Sequence, residues 1–235
     1  MSSHEWYSLD ELIRRVGRDR RIVEKLVNRG RIPAHRVGGE WRFNAIEITH
    51  WLEEQLPDLS DDELADLEKS HKSEDLHADL PVSQLLTIET VQVPLEARTK
   101  RSVLESLIEV AGRTWQIWEP AAVLKAVQER EQVLSTALGD GVAIPHPRNP
   151  LPEALGESVI AYGRTYSGIP FGGPKRSLSD IFFLVLCRDS RTHLQLLARL
   201  SRMVQLPNFL DDLRASDDNQ SSFELICRAD EEIGG

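Results

Sequence analysis

Acidic residues are concentrated in one short segment of this 235-residue chain. Residues 57–80 carry nine Asp and Glu against two Lys, whereas residues 1–56 have a net charge of +1 and residues 81–235 a net charge of −4. A block of like charge repels itself and is typical of a solvated linker between folded domains. The sequence therefore predicts two modules, 1–56 and 81–235, joined by an acidic linker over 57–80.

No apolar stretch of the sequence approaches the length of a membrane span. The longest, from Ile181 to Cys187, has seven residues, against roughly 20 for a transmembrane helix. The N-terminus lacks the charged-then-apolar pattern of a secretion signal, and Cys187 and Cys227 do not form a CxxC pair. We expect a cytoplasmic protein with reduced cysteines, no membrane partner, no cofactor and no metal. Because the whole chain carries −10, any nucleic acid binding must belong to one module.

Two helices around a tight turn are predicted at the start of the first module. Ser8 and Glu11 form a capping-box pattern at the start of one helix. Asp19 is placed to cap a second helix that runs to about Arg29, where Gly30 ends it. Apolar residues recur at helical spacing on one side of each helix. They are Leu9, Leu12, Ile13 and Val16 in the first helix, and Ile22, Val23, Leu26 and Val27 in the second.

A β-hairpin and a closing helix are predicted to complete the first module. Two short strands flank the Gly38-Gly39 pair. Asn44 and Glu47 form another capping pattern, and the helix over 46–55 is expected to turn Trp51 and Leu52 inward. This order of elements predicts a small winged helix-turn-helix domain.

Residues Tyr7 to Gln55 resemble the excisionase-type DNA-binding family, which is related to the MerR headpiece. The most specific parts are the run GRIPAHRVGGEWRF and the closing WLEE. The resemblance implies that the second helix enters the major groove of duplex DNA and that the wing touches the flanking backbone. The implied DNA-binding residues are Arg20, Arg21 and Lys25 on the helix and Arg36 and Arg42 on the wing. The alternative is that the helix cations form only a solvated face.

The acidic linker has two interpretations. One is a flexible tether, which we favour, because residues 68–79 show no apolar period. The other is a short amphipathic dimerisation helix over 59–67, capped by Ser60. His71 and His77 are not at a metal-ligand spacing, and we expect both to be exposed to solvent.

Helix and strand patterns alternate in the second module. This alternation predicts an α/β domain with a mixed sheet and helices on both faces. The Gly-rich segment 168–176 lacks the spacing of a P-loop, so no nucleotide site is expected. The predicted helices are 98–111, one that begins at Pro120, 192–204 and two short ones at the end; the predicted strands are 142–144, 158–162 and 180–187.

The candidate chemistry lies in residues 129–148. His146 stands between Pro145 and Pro147, and flanking prolines stiffen the backbone that holds the imidazole. A neutral imidazole nitrogen is a nucleophile near pH 7. A phosphoryl group on that nitrogen needs donors for its oxygens. The candidates are the guanidinium of Arg130 and the hydroxyls of Ser135 and Thr136.

Residues 82–230 resemble the type-2 IIA domain of the bacterial phosphoenolpyruvate-dependent phosphotransferase system, in its fructose, mannitol and nitrogen-regulatory branch. The match rests on Leu138-Gly139, on VAIPH ending at His146, and on THLQLLARLS, whose His193 lies 47 residues downstream. The resemblance implies that His146 receives a phosphoryl group from HPr or a nitrogen-branch homologue. It also implies that Arg130 stabilises that group and that His193 lies beside His146. Pro147 stands where the family usually has a small residue, and it offers no backbone N–H to the phosphate.

Together the two modules predict a DNA-binding transcription regulator that senses phosphotransferase flux, with the second module a phosphoryl carrier rather than a turnover enzyme. One alternative is a sugar-uptake IIA component whose first module mediates protein contacts. Another is a module without phosphotransfer that only binds proteins, which the set Arg130, His146 and His193 disfavours. Each histidine also has a purely structural alternative. His146 would then be a structural residue of a loop, and His193 would be packed against its own turn at a helix N-terminus.

The expected partners are duplex DNA and HPr or its homologue, with a homodimer as a further option. Phosphorylation adds negative charge to His146. The surface of the second module around His146 is called the carrier face. If the carrier face docks on the cationic helix bearing Arg20, Arg21 and Lys25, this charge strengthens the docking and weakens the binding of DNA to the same helix. If the face instead forms a dimer contact, the same charge separates the dimer and lowers avidity. Both routes predict that phosphorylation weakens DNA binding.

Overall fold

A computed structural model describes residues 6–72 and 81–234 of the chain. The first module contains a three-stranded antiparallel sheet of order β1-β3-β2 and three helices. A short 3-10 turn at Leu56–Asp58 then leads to a fourth helix in the acidic segment. In chain order the elements are β1 (Trp6–Tyr7), α1 (Leu9–Val16), α2 (Arg20–Asn28), β2 (His35–Val37), β3 (Glu40–Asn44), α3 (Ala45–Gln55) and α4 (Asp61–Ser70).

The second module is built on a five-stranded mixed sheet. In chain order its elements are α5 (Pro81–Leu85), β4 (Val91–Gln92), α6 (Lys100–Gly112), α7 (Pro120–Val133), β5 (Ala137–Gly139), β6 (Val142–Ala143), β7 (Val159–Ile169), β8 (Ser179–Leu186), α8 (Ser190–Met203), α9 (Phe209–Ala215) and α10 (Asn219–Gly234). The strand order is β4-β7-β8-β6-β5. The β4–β7 and β6–β8 pairs are parallel, and the β7–β8 and β5–β6 pairs are antiparallel.

The local signals of the first module act as the sequence predicts. The Ser8 hydroxyl accepts from the Glu11 N–H, and the Glu11 carboxylate accepts from the Ser8 N–H at 2.7 Å. The Asp19 carboxylate caps α2, and the Asn44 side chain caps α3. Gly38 and Gly39 both have positive φ, 61° and 88°, which is the backbone that a tight hairpin turn of this hand requires.

The buried side of α2 is narrower than predicted. Val23 and Val27, four residues apart, are buried, whereas Ile22 is 50% exposed. Ile22 precedes Val23 by one position, which turns it about 100° round the helix and away from the module's core. The prediction that Ile22 faces inward is therefore wrong.

The acidic segment is not a flexible tether over Asp61–Ser70. Ser60 forms a capping box with Glu63, and Leu64 and Leu67 are fully buried where α4 packs against α8. The Glu68 carboxylate of α4 is paired with arginines of α8 rather than exposed to solvent. Glu68 pairs with Arg199 at 3.2 Å and with Arg202 at 2.8 Å. Opposite charge supplied by α8 thus stabilises a helix that its own sequence marks as self-repelling. The module boundaries at 56/57 and 80/81 stay a prediction.

His71, predicted to be exposed, is buried at the end of α4. Only 2% of its surface is accessible, and its Nδ1–H donates to the Leu67 carbonyl at 3.1 Å. Burial lowers the pKa of His71 to about 4, with the nearby positive charges of Arg15 and Arg191 acting in the same direction. His71 is therefore a neutral core residue near pH 7. His77 lies outside the described residues.

The sheet of the second module is covered on both faces, as the fold prediction states. One face packs against α6 and α7, through residues such as Leu107, Val123 and Val127. The other face packs against α8, and the same hydrophobic core continues into the first module, where it includes Leu12 and Phe43. The two modules therefore share one continuous core.

Several element bounds in the second module differ from the predictions. Strand β7 continues to Ile169, so the start of the Gly-rich segment is extended strand. Helix α6 begins at Lys100, because the Thr99 hydroxyl caps it. The final helix α10 has 16 residues and is not short. Within residues 6–72 and 81–234, no helix combines the length and apolar character needed to cross a membrane.

Candidate functional site

The His146 side chain is held by the backbone that leaves the middle of the sheet. His146 follows β6, and the Pro145 carbonyl accepts from the Val185 N–H of β8 at 3.0 Å. Its Nδ1–H donates to the Ile144 carbonyl at 2.7 Å. With the proton on Nδ1, the free lone pair lies on Nε2, which is the nitrogen available as a nucleophile.

His193 lies beside His146 at the N-terminus of α8. The Asp189 side chain caps this helix by accepting from the N–H groups of Arg191 and Thr192. The centroids of the two imidazole rings are 5.0 Å apart, and the rings meet edge to face. The structure thus brings together two histidines that are far apart in sequence.

Arg130 reaches the same place from the last turn of α7. One guanidinium nitrogen donates to the Leu134 carbonyl at 2.7 Å, which fixes the side chain across the end of the helix. The guanidinium is nearly buried and adds its positive charge to the electrostatic environment of His146. The site therefore contains a fixed positive charge, which suits an anion.

Glu53, which the sequence does not identify as a site residue, occupies the centre of the cluster. It comes from α3 of the first module, and its side chain is 2% exposed. Its Oε1 accepts from His193 Nε2–H at 2.9 Å. Its Oε2 lies 3.6 Å from His146 Nε2 and 3.7 Å from an Arg130 guanidinium nitrogen. A carboxylate of the first module therefore lies in the candidate site of the second.

The sequence contains only a weak signal for Glu53. It lies four residues after Thr49 and three before Leu56, and all three residues are buried along one stripe of α3 and the turn that follows it. A Glu within WLEE is ordinarily assigned to the solvated side of an amphipathic helix. Only the surface of the second module, which contributes the opposite charges, shows that this one is buried.

Burial and the neighbouring side chains shift the pKa values of Glu53 and His146 in opposite directions. Burial raises the pKa of Glu53, but the interactions of its carboxylate with the His146 and His193 imidazoles outweigh burial, so that the pKa lies well below its ordinary value. Burial lowers the pKa of His146, although Glu53 acts against that shift. We therefore describe Glu53 as an ionised carboxylate and His146 as a neutral imidazole near pH 7.

Two buried atoms of the site have no hydrogen-bond partner among the described residues. They are Nε2 of His146 and Oε2 of Glu53, and they face each other at 3.6 Å. Unsatisfied buried polar atoms are rare and often mark functional sites. Both atoms are acceptors in these protonation states, so neither can satisfy the other.

Ser135 and Thr136 line the same small cavity of about 90 Å³ as Arg130 and His146. Their hydroxyls, however, already donate to other groups. Ser135 Oγ donates to the Phe171 carbonyl at 2.8 Å, and Thr136 Oγ1 donates to the Glu131 carboxylate. Their predicted role in binding phosphate would require both hydroxyl groups to turn toward the site.

Glu53, His146 and His193 are also residue types that bind metal ions. Their ligand atoms all lie within 4.8 Å of one another. The Arg130 guanidinium, however, stands 3.7 Å from the carboxylate and repels a second positive charge there. The guanidinium therefore disfavours a divalent cation beside this carboxylate.

The predicted DNA-binding residues lie away from this cluster. Arg20 pairs with Asp10 and Glu24, and Arg42 pairs with Glu40. The Arg36 guanidinium stacks over the Trp41 ring at 4.7 Å. Arg21 and Lys25 are exposed on the outer side of α2.

The surface of the second module around His146 meets α3 and not the cationic helix α2. The first of the two routes considered above, docking of that surface on Arg20, Arg21 and Lys25, is therefore not the arrangement of the unmodified protein. Besides the Glu53 cluster, the contact includes His50 of α3 and Arg148. His50 Nε2–H donates to the Arg148 carbonyl at 3.0 Å, and Arg148 Nε–H donates to His50 Nδ1 at 3.3 Å. This contact places the Glu53 carboxylate of α3 beside Arg130, His146 and His193 of the second module.

Comparison with protein families assigns both modules. The model described as "Phosphoenolpyruvate-dependent sugar phosphotransferase system, EIIA 2" matches residues 84–228, and the model described as "Helix-turn-helix domain" matches residues 6–56. The nitrogen regulatory protein of Bradyrhizobium diazoefficiens is 29% identical over 151 residues, covering 63% of this chain and 95% of that protein. The fructose-specific EIIABC component of Bacillus subtilis is 24% identical over 153 residues, covering 64% of this chain but only 24% of that protein.

Solved structures show the same fold for the second module. The nitrogen regulatory protein IIA-Ntr of Neisseria meningitidis superposes with a TM-score of 0.56 at 21% identity, covering 62% of this chain and 98% of that one. IIA mannitol of Escherichia coli superposes with a TM-score of 0.53 at 18% identity, covering 60% and 97%. At these identities the likeness establishes the fold alone.

The protonation state of His146 can be tested by ¹⁵N NMR of the imidazole rings across a pH titration. We expect His146 to carry its proton on Nδ1 at neutral pH, because the Ile144 carbonyl accepts there. Since burial lowers its pKa, its second protonation should occur below about pH 6.5, the ordinary value for histidine. The urea-unfolded protein provides the reference titration. A midpoint at or above that of the unfolded chain, or a proton on Nε2, would contradict the account.

Proposed function

The chain belongs to the phosphoenolpyruvate-dependent sugar phosphotransferase system EIIA 2 family and carries an N-terminal helix-turn-helix domain, and from this premise we propose that it is a DNA-binding regulator whose second module is a phosphoryl carrier. His146 accepts the phosphoryl group on Nε2. The observation that carries the proposal is the placement of this free nitrogen beside a buried guanidinium and a second imidazole.

The transfer needs little chemistry from the protein beyond positioning and charge. The lone pair of His146 Nε2 attacks the phosphorus of a phosphohistidine on the donor, HPr or a nitrogen-branch homologue. The new N–P bond forms as the donor's N–P bond breaks, and the donor's imidazole leaves with that electron pair. No proton has to leave His146 Nε2, because it carries none. Arg130 and the Nε2–H of His193 are placed to bind the phosphoryl oxygens.

The first module supplies the proposed DNA contact. The exposed side of α2 offers Arg21 and Lys25, with Arg20 beside them, and the wing offers Arg36 and Arg42. In this proposal α2 lies in the major groove and the wing touches the phosphates on either side. The contact of α3 with the second module leaves the outer side of α2 exposed.

A sugar-uptake IIA component is the second candidate. It is supported by the fructose-specific EIIA component of Haloferax volcanii, which is 24% identical over 148 residues and matched over 94% of its length. In that case the helix-turn-helix domain would mediate protein contacts. The two candidates share the phosphoryl chemistry of His146 and differ in whether DNA is bound.

The carrier chemistry is tested with phosphoenolpyruvate, enzyme I and HPr as the donor system. We expect acid-labile labelling of the wild-type protein and none of His146→Ala. Arg130→Ala should slow labelling by roughly 10²-fold, as loss of one preorganised donor typically does. Lys125→Ala, which removes an exposed cation from the same helix, should label at the wild-type rate. Labelling that persists in His146→Ala would place the acceptor elsewhere.

DNA binding is tested by recovering genomic fragments on the full-length protein and measuring their affinity against salt. We expect an enriched sequence, and log K that falls with log salt by about 0.9 for each phosphate contact. Lys25→Ala and Arg21→Ala should each lower affinity, whereas Arg101→Ala, an exposed cation of the second module, should not. No enriched sequence together with salt-independent binding would favour the uptake component instead.

A further inference from the structure

The acceptor nitrogen of the carrier is covered in this structure. His146 is 4% exposed, and its Nε2 is among the buried atoms that contact no solvent. A phosphodonor protein has to bring its own phosphohistidine to this atom. The arrangement described here is therefore closed to phosphotransfer.

Helix α3 forms the cover. Its Glu53 side chain lies directly over His146, and the residues that follow it, Leu56 and Pro57, form part of the same cavity wall. At the edge of the contact, His50 and Arg148 exchange two hydrogen bonds. The surface on which the donor must dock is therefore the surface on which α3 now packs.

Glu53 occupies the place where the phosphoryl group has to go. The 3.6 Å between its Oε2 and His146 Nε2 is an ordinary contact distance between two non-bonded atoms. No phosphorus atom with its own oxygens fits between them. The carboxylate also uses the groups that suit a phosphoryl group, since it accepts from His193 and faces Arg130.

We propose that α3 is an internal competitor of the phosphodonor, with the Glu53 carboxylate occupying the phosphoryl position of the carrier site until α3 moves away. The proposal rests on the proposed function of His146. Phosphorylation and the packed position of α3 then exclude each other, by volume and by the repulsion between the carboxylate and the phosphoryl oxygens.

The same helix connects the site to the first module. Ile48, Trp51 and Leu52 of α3 lie in the core of the helix-turn-helix domain. Helix α4 holds the domain to the second module through Leu64 and Leu67 at a separate place. When α3 leaves the site, the helix-turn-helix domain therefore changes its position relative to the carrier while α4 keeps it attached.

The experiment measures phosphoryl transfer from phosphorylated HPr to the full-length chain in a single turnover. Glu53→Gln keeps the shape of the side chain and removes its charge. It should accelerate transfer roughly 5- to 150-fold, the usual range for coupling between two states. Glu40→Gln removes an exposed carboxylate of the wing, away from the site, and should leave the rate unchanged. An equal or slower rate in Glu53→Gln would overturn the proposal.

A second readout does not depend on phosphotransfer. Diethyl pyrocarbonate modifies accessible neutral imidazoles, and peptide mass spectrometry reports the modification of His146 by itself. Glu53→Gln should raise the rate at which His146 is modified. His50→Ala removes hydrogen bonds to Arg148 at the edge of the contact, weakens the packing of α3, and should raise the rate too. The second variant keeps the test available if Glu53→Gln does not fold. Absence of transfer in all variants would reject the phosphoryl proposal alone. Unchanged modification of His146 in both folded variants would reject the competitor.

Discussion

A buried carboxylate of the first module joins it to the second module at the candidate site. Glu53 has lost nearly all contact with water and depends on His193, His146 and Arg130 for compensation. Removing one partner of such a cluster typically destabilises a protein by about 3–5 kcal/mol, because a charge stays buried without its counterpart. The carboxylate and its partners come from different modules. In the competitor proposal, the position of the helix-turn-helix domain therefore depends on whether His146 is phosphorylated.

A second set of charges holds the modules together at a distance from the site. Helix α4 packs Leu64 and Leu67 on α8, and its acidic residues pair with Arg199 and Arg202. Helix α8 therefore has two functions, because it carries His193 at its N-terminus and supports α4 farther along. In the competitor proposal, the attachment through α4 is independent of phosphate and the attachment through Glu53 competes with it. A phosphoryl group on His146 would then move the first module without releasing it.

Features set by local sequence were predictable. Caps at Ser8, Asp19 and Asn44, the Gly38-Gly39 hairpin and the mixed sheet all follow from neighbouring residues or from element order. The burial of Glu53 and His71 could not be predicted from the sequence, because each residue is covered by a surface that a distant segment contributes. Glu53 and His193 are 140 residues apart. A single sequence shows the charge of a residue, but only the folded chain shows which opposite charge meets it.

The central claim is that phosphorylation of His146 displaces α3, and an electron–electron distance measurement tests it most directly. One spin label is placed at Val37 on the wing and one at Tyr166 in the second module, both well exposed at 57% and 65%, with Cys227 replaced by Ser. The account predicts a single narrow distance in the unmodified protein and a longer or broader distribution after phosphorylation, with no change for His146→Ala in the same mixture. An identical distribution in the fully phosphorylated protein would contradict it.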